Sequence, residues 1–155
     1  MNSAANTEKK YFTPAQANQT LPLVRAIVED IVRNYADISE RQDRLARIRK
    51  APGSGTADEQ TPYSEELEQI EKELEKDAAK LSEYVDELAA LGAELKDPAI
   101  GLVDFPGLMQ EREVCLCWKL GEPEIGYWHE VDAGFQGRQA LLSTSKSDKP
   151  DATVE

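Results

Sequence analysis

Apolar residues recur every three or four positions along two long stretches of this chain. In the first they fall on Leu21, Val24, Val28, Ile31, Tyr35, Ile38 and Leu45, and in the second on Leu67, Ile70, Leu74, Leu81, Tyr84, Leu88 and Leu91. Residues at that spacing share one face of a helix, so each stretch reads as an amphipathic helix with a coiled-coil-like seam. The Gly-rich run Ala51-Pro52-Gly53-Ser54-Gly55-Thr56 lies between them and folds them back on each other. If the chain reverses near residue 56, facing positions sum to about 112. Leu45 then meets Leu67, Ile38 meets Leu74, Ile31 meets Leu81, Val28 meets Tyr84 and Val24 meets Leu88. Tyr35 faces Asp77 in this register, and a Tyr35 hydroxyl donating to the Asp77 carboxylate is the expected polar seam pair.

Capping signals set the helix ends. Thr13, Pro14 and Gln16 form a capping box with proline at the first helical position. Pro22 has no N–H and restricts Leu21, so a short helix near 14–20 and a long one near 22–50 are expected, joined at a kink or break. Thr61 and Pro62 open the next helix, which runs to about 91 and ends on a left-handed Gly92.

Beyond Gly92 the period shortens. Segments 93–96 and 101–105 read as short strands about a turn at Asp97-Pro98. Arg112 to Leu120 and Glu124 to Val131 read as a hairpin turning at Gly121-Glu122-Pro123-Glu124, with facing positions summing to about 245. That register puts Val114, Leu116, Trp118, Leu120, Ile125, Tyr127, His129 and Val131 on one face, and Cys115, Cys117, Trp128 and Glu130 on the other.

The predicted fold is therefore helix-dominated α+β: a long antiparallel helical hairpin, a short N-terminal helix, and a small C-terminal antiparallel sheet packed on the hairpin base. A single domain spans about 11–142, its β-region covers 93–132, and residues 1–10 and 143–155 are expected to be disordered.

A formal net charge of −12 argues against binding nucleic-acid phosphates. The basic run Arg41, Arg44, Arg47, Arg49 and Lys50 ends the first helix, where the acidic start of the second, Glu65, Glu66, Glu68, Glu71, Glu73 and Glu75, comes alongside. These charges suit the helix dipoles and set the hairpin's alignment. The start of the chain has no secretory h-region, no apolar run is long enough to span a bilayer, and the two cysteines are too close in sequence for an ordinary disulfide, which together predict a cytoplasmic protein.

Candidate chemistry concentrates near the C-terminal hairpin. His129 is the single histidine and could act as a general base or ligand, but a strand sends it and Glu130 to opposite faces. Cys115 and Cys117 share a strand face and could hold a soft metal, yet their spacing is tighter than a zinc knuckle and His129 is expected across the sheet. No metal and no cofactor are therefore expected. In Gly134-Phe135-Gln136-Gly137-Arg138 the arginine could meet an anion, or pin the loop to Asp132 or Asp104. Asp104, Arg112, His129, Glu130, Asp132 and Arg138 make up the polar cluster in which a site would lie.

Several strings match a known family. Tyr11-Phe12-Thr13-Pro14-Ala15-Gln16-Ala17-Asn18 with Leu21-Pro22, Leu95-Lys96-Asp97-Pro98, Gly101-Leu102-Val103-Asp104-Phe105-Pro106, Cys117 to Pro123, and Trp128 to Phe135 resemble a bacterial family known only as domain of unknown function 2203. The resemblance implies a cytoplasmic bacterial protein and assigns no activity. The expected function is a non-catalytic interaction or scaffold protein acting through the hairpin, with an unknown protein partner or self-association as a homodimer over the flanks Ile27, Val32, Ala78 and Val85. The alternative is a small-molecule, anion or metal binder, or an enzyme, using the polar cluster around His129.

Overall fold

The protein is described by a computed structural model that covers residues 10–50 and 62–141. The Gly-rich connection, the Thr61 cap and nearly all of both expected disordered ends lie outside the described residues.

Helix α1 spans Pro14–Lys50 and α2 spans Pro62–Ala90. The capping box forms as the sequence dictates: the Gln16 N–H donates to Thr13 Oγ1 at 3.1 Å, and the Thr13 N–H donates to Gln16 Oε1 at 3.0 Å. No break follows at Pro22, so the expected short helix is instead the first turns of α1. An interior proline costs about 3 kcal/mol. Tertiary contacts on both sides offset it: Ala17, Leu21 and Val24 are buried, while Pro22 itself is exposed. The Asn18 amide also ties this stretch to residue 125, accepting from the Ile125 N–H at 2.7 Å.

The hairpin follows the predicted seam. Val24, Val28, Ile31, Ile38 and Leu45 of α1 are buried, as are Ile70 and Leu88 of α2. Leu81 and Tyr84 pack against the same core. Arg41 pairs with Glu73 and Asp77, Arg44 with Glu66 at 2.7 Å and Arg49 with Glu71 at 2.8 Å, so the opposed charges do meet. Each such pair contributes only about 0.2–1 kcal/mol, enough to favour one alignment without supplying much stability.

The polar seam pair is not the expected one. Asp77 gives its carboxylate to Arg41, not to Tyr35. Asn34 occupies the buried position at this level and donates to the Asp77 backbone carbonyl at 3.2 Å. The seam steps from Ile31 by three to Asn34 and then by four to Ile38, which leaves Tyr35 at the margin.

Gly92 ends α2 with φ +96°, and the Ala93 N–H returns to the Leu88 carbonyl at 3.1 Å. A Cβ on Gly92 would lie 2.7 Å from the Phe12 ring, so this position needs glycine for space as well as for backbone conformation.

Five strands follow: β1 (Glu94–Asp97), β2 (Leu102–Met109), β3 (Arg112–Lys119), β4 (Tyr127–Glu130) and β5 (Gln139–Ala140). They form one antiparallel meander in chain order. Phe12 extends the β1 edge, since its N–H donates to the Pro106 carbonyl at 2.9 Å. The inner sheet face carries Val103, Phe105, Val114, Leu116 and Trp118, which join Leu21, Val24, Val28 and Ile31 in the core. Ile27 and Val32 also pack on this core, whereas Val85 is half-buried and Ala78 exposed. No helix among the described residues is long and apolar enough to cross a membrane.

Two features of the sheet differ from expectation. The longest pairing is β2 with β3, through a two-residue turn in which Gln110 and Glu111 take φ of 54° and 62°. Such a turn ordinarily advertises itself with Asn-Gly or Asp-Gly, and Gln-Glu carries no such signal. The β3–β4 pair is shifted by one residue, with Cys115 opposite His129 and Leu116 opposite Trp128, so facing positions sum to 244. Ile125 is buried and tied to Asn18, and the strand starts only at Tyr127. The alternation therefore begins after Ile125 and not before it, and a one-residue shift moves every β4 side chain to the other face. Tyr127 and His129 lie on the outer face with the cysteines, and Trp128 packs on the inner one.

Two substitutions test these features by urea denaturation. Replacing Gln110-Glu111 by Asn-Gly should stabilise the protein by about 1 kcal/mol, because asparagine tolerates the left-handed region better than glutamine and glycine adopts it without strain. A loss of stability would show that the two side chains make compensating contacts. The Asn34 Oδ1 atom is buried with no hydrogen-bond partner among the described residues, so Asn34→Leu should raise stability by about 1–2 kcal/mol. A lowered midpoint would mean that the bond to Asp77 outweighs desolvation of the amide.

Candidate metal centre

The outer sheet face brings together residues from three strands. Asp104 of β2 pairs across with Cys117 of β3, and His129 of β4 lies diagonal to that thiol. Asp104, Cys117 and His129 are all buried, with relative exposures of 4, 0 and 3%. One Asp104 carboxylate oxygen, Cys117 Sγ and one His129 ring nitrogen all lie within 4.8 Å of one another. The sequence-based placement of His129 across the sheet from the cysteines is thereby overturned, and with it one of the arguments against a shared ligand set. The cause is the one-residue shift at Ile125.

The imidazole is fixed at both nitrogens. Nδ1 lies 2.7 Å from the Glu130 backbone carbonyl, and Nε2 lies 3.1 Å from each Asp104 carboxylate oxygen. A carbonyl oxygen can only accept, so Nδ1 carries a hydrogen and donates it. Nε2 of a neutral ring then turns its lone pair toward a carboxylate. Two acceptors at hydrogen-bond distance require a positive charge between them, either a proton or a metal ion.

Cys117 is held on its other side by Arg138, whose Nε–H donates to Sγ at 3.3 Å. Burial pushes the Cys117 thiol up to about 11, with Arg138 pulling the other way. Cys115 is also raised to about 11, by burial first and then by the charge of Asp104. Arg138 is itself locked by Glu122, with two contacts of 2.7 Å, and it stacks 4.1 Å from the Tyr127 ring centroid and 4.8 Å from that of Phe135. Neither Asp132 nor Asp104, the expected partners of Arg138, takes this role; Glu122 does. Glu122 was missed because it belongs to the hairpin turn. There it also accepts from the Lys119 N–H at 2.9 Å, while its carbonyl accepts from Trp118 Nε1 at 3.0 Å.

The expected polar cluster thus divides. Asp104, His129 and Arg138 converge about Cys117. Arg112 and Glu130 pair with each other on the helix-facing side, where Arg112 lies over Trp128. Asp132 is exposed in the segment after β4. A cavity of about 270 Å³ opens on the centre, lined by Asp104 and His129 together with Lys96, Leu102, Cys115, Val131, Gly134 and Phe135.

The chain belongs to the family described as an uncharacterized conserved protein (DUF2203), whose profile matches residues 10–141. No curated protein and no solved structure matches the chain. Asp104, Cys117 and His129 fall one each in three of the strings that carry the family resemblance.

The Glu122–Arg138 pair gives a pH signature. Burial would raise the Glu122 carboxyl, but the hydrogen bonds and charge of Arg138 outweigh it and hold the group below its ordinary range. A depressed carboxyl contributes its full stabilisation above the unfolded value of about 4.3 and loses it as pH falls through the lower folded value. Glu122→Gln should therefore cost about 1–3 kcal/mol at pH 7 by denaturant unfolding, a deficit that shrinks below about pH 4. An equal deficit at both pH values would show that the loss is not that of the ion pair.

Proposed function

We propose that this family member is a metal-binding protein in which Asp104, Cys117 and His129 hold one divalent transition-metal ion on the outer face of the sheet. The observation that carries this reading is the convergence of a buried carboxylate, thiol and imidazole, those of Asp104, Cys117 and His129, within 4.8 Å of one another. The His129 Nδ1–H is committed to the Glu130 carbonyl, which leaves Nε2 as the ring nitrogen directed at the carboxylate of Asp104. Histidine ligands commonly donate their second ring N–H to a carbonyl or carboxylate in this way, which fixes tautomer and ring orientation.

A proton alone would satisfy the His129–Asp104 pair. The buried thiol beside them is what favours a metal, because imidazole, carboxylate and thiolate together form a donor set suited to zinc and similar ions. Ligand atoms around a tetrahedral zinc stand about 3.4–3.7 Å apart, close to the 3.1 Å already separating Nε2 from the carboxylate. Arg138 would complete the surroundings by donating to the thiolate. Nucleophilic catalysis by Cys117 fits poorly: the thiol is fully buried, and the imidazole is engaged with Asp104.

In this reading the helical hairpin is the scaffold against which the sheet folds, not the surface through which the protein acts. The cytoplasmic setting expected from the sequence accords with it, since both cysteines are free thiols and a ligand thiol must stay reduced.

Metal analysis of purified full-length protein, followed by zinc titration against a chromophoric chelator, tests the proposal. One equivalent of zinc should bind. Cys117→Ala and His129→Ala should each weaken binding at least about 100-fold, with the far-ultraviolet circular dichroism unchanged. A wild-type protein that binds no zinc, or a His129→Ala protein that binds it equally well, would overturn the assignment.

A further inference from the structure

Three ligands leave a tetrahedral ion one position short, and the cavity beside the centre shows what can fill it. Its lining outside the proposed ligands consists of Lys96, Leu102, Cys115, Val131, Gly134 and Phe135. Leucine, valine, glycine and phenylalanine side chains offer no donor atom, and a lysine ammonium has no lone pair. Cys115 is therefore the one lining side chain, beyond Asp104 and His129, that can ligate a metal at neutral pH.

The strand register puts it within reach. Cys115 stands directly opposite His129, while Cys117 stands directly opposite Asp104. The four residues occupy the corners of a quadrilateral on one sheet face. Positions two apart on a strand are about 6.6–6.8 Å apart along its axis, and two Sγ atoms that lean toward each other can close to the roughly 3.8 Å expected of thiolates sharing a zinc. Cys115 is half-buried, not packed in the core, and the cavity of about 270 Å³ gives its side chain room to change rotamer.

Resting on the metal reading above, we infer that Cys115 supplies the fourth ligand and closes the shell as two thiolates, one imidazole and one carboxylate. A closed tetrahedral set of this kind is that of a structural or sensing ion and leaves no position for a substrate. Two thiolates also set the preference: zinc and cadmium bind, and the hard ions magnesium, calcium and manganese do not.

Cobalt(II) loading of the full-length protein separates this inference from the reading beneath it. The wild type should show tetrahedral ligand-field bands with sulfur-to-cobalt charge transfer. Cys115→Ser and Cys115→Ala should still bind one cobalt, with the charge-transfer absorbance reduced to roughly half, as expected when one of two thiolates is lost. Charge-transfer absorbance unchanged in both Cys115 variants would overturn the inference and leave the three-ligand centre standing. A wild-type protein that takes up neither cobalt nor zinc would overturn both. Magnesium or manganese competing with zinc at equal concentration would also count against the closed thiolate shell.

Discussion

Burial of the inner sheet face against the first half of α1 is the contact on which everything else in this protein rests. Leu21, Val24, Val28 and Ile31 meet Val103, Phe105, Leu116 and Trp118, and all eight are nearly or fully removed from water. At about 1.5–3 kcal/mol for each fully buried large apolar side chain, this layer outweighs the surface ion pairs of the hairpin. It also outweighs the interior proline, which is why α1 continues unbroken past Pro22. The demand that one sheet face be apolar is what leaves the other face free to collect Asp104, Cys117 and His129.

The helical half was legible because its signals are local. The spacing of Leu21 to Leu45 and Leu67 to Leu91, the Thr13–Gln16 box and the left-handed Gly92 each act within a turn or two of chain, and each appears as expected. Pro22 and Tyr35 were misread for a common reason. Local rules place a break at one and a seam contact at the other, while tertiary packing overrides the first and shifts the second by one residue to Asn34.

The site was legible as a set of residues but not as an arrangement. Asp104, His129 and Arg138 stood out as polar groups in a strand-rich region, and Cys115 and Cys117 stood out as thiols. Whether they face each other depends on a single residue of register, and that register is fixed by Ile125. Its side chain is buried and its N–H reaches Asn18, more than a hundred residues earlier. No periodicity within the hairpin encodes such a contact. Glu122 escaped notice similarly, since turn residues are ordinarily read for backbone shape and not for the ion pair they make with Arg138.

The edge bridge made by Phe12 bears on the order in which the protein assembles during synthesis. Phe12 packs edge-on against Phe105 and hydrogen-bonds to Pro106, both encoded more than ninety residues later. The hairpin helices leave the ribosome first and can close along their seam, yet Phe12, Val24 and Val28 still await the sheet that covers them. A nascent chain therefore carries a greasy, uncapped flank until β2 and β3 emerge, the interval in which a chaperone has something to hold.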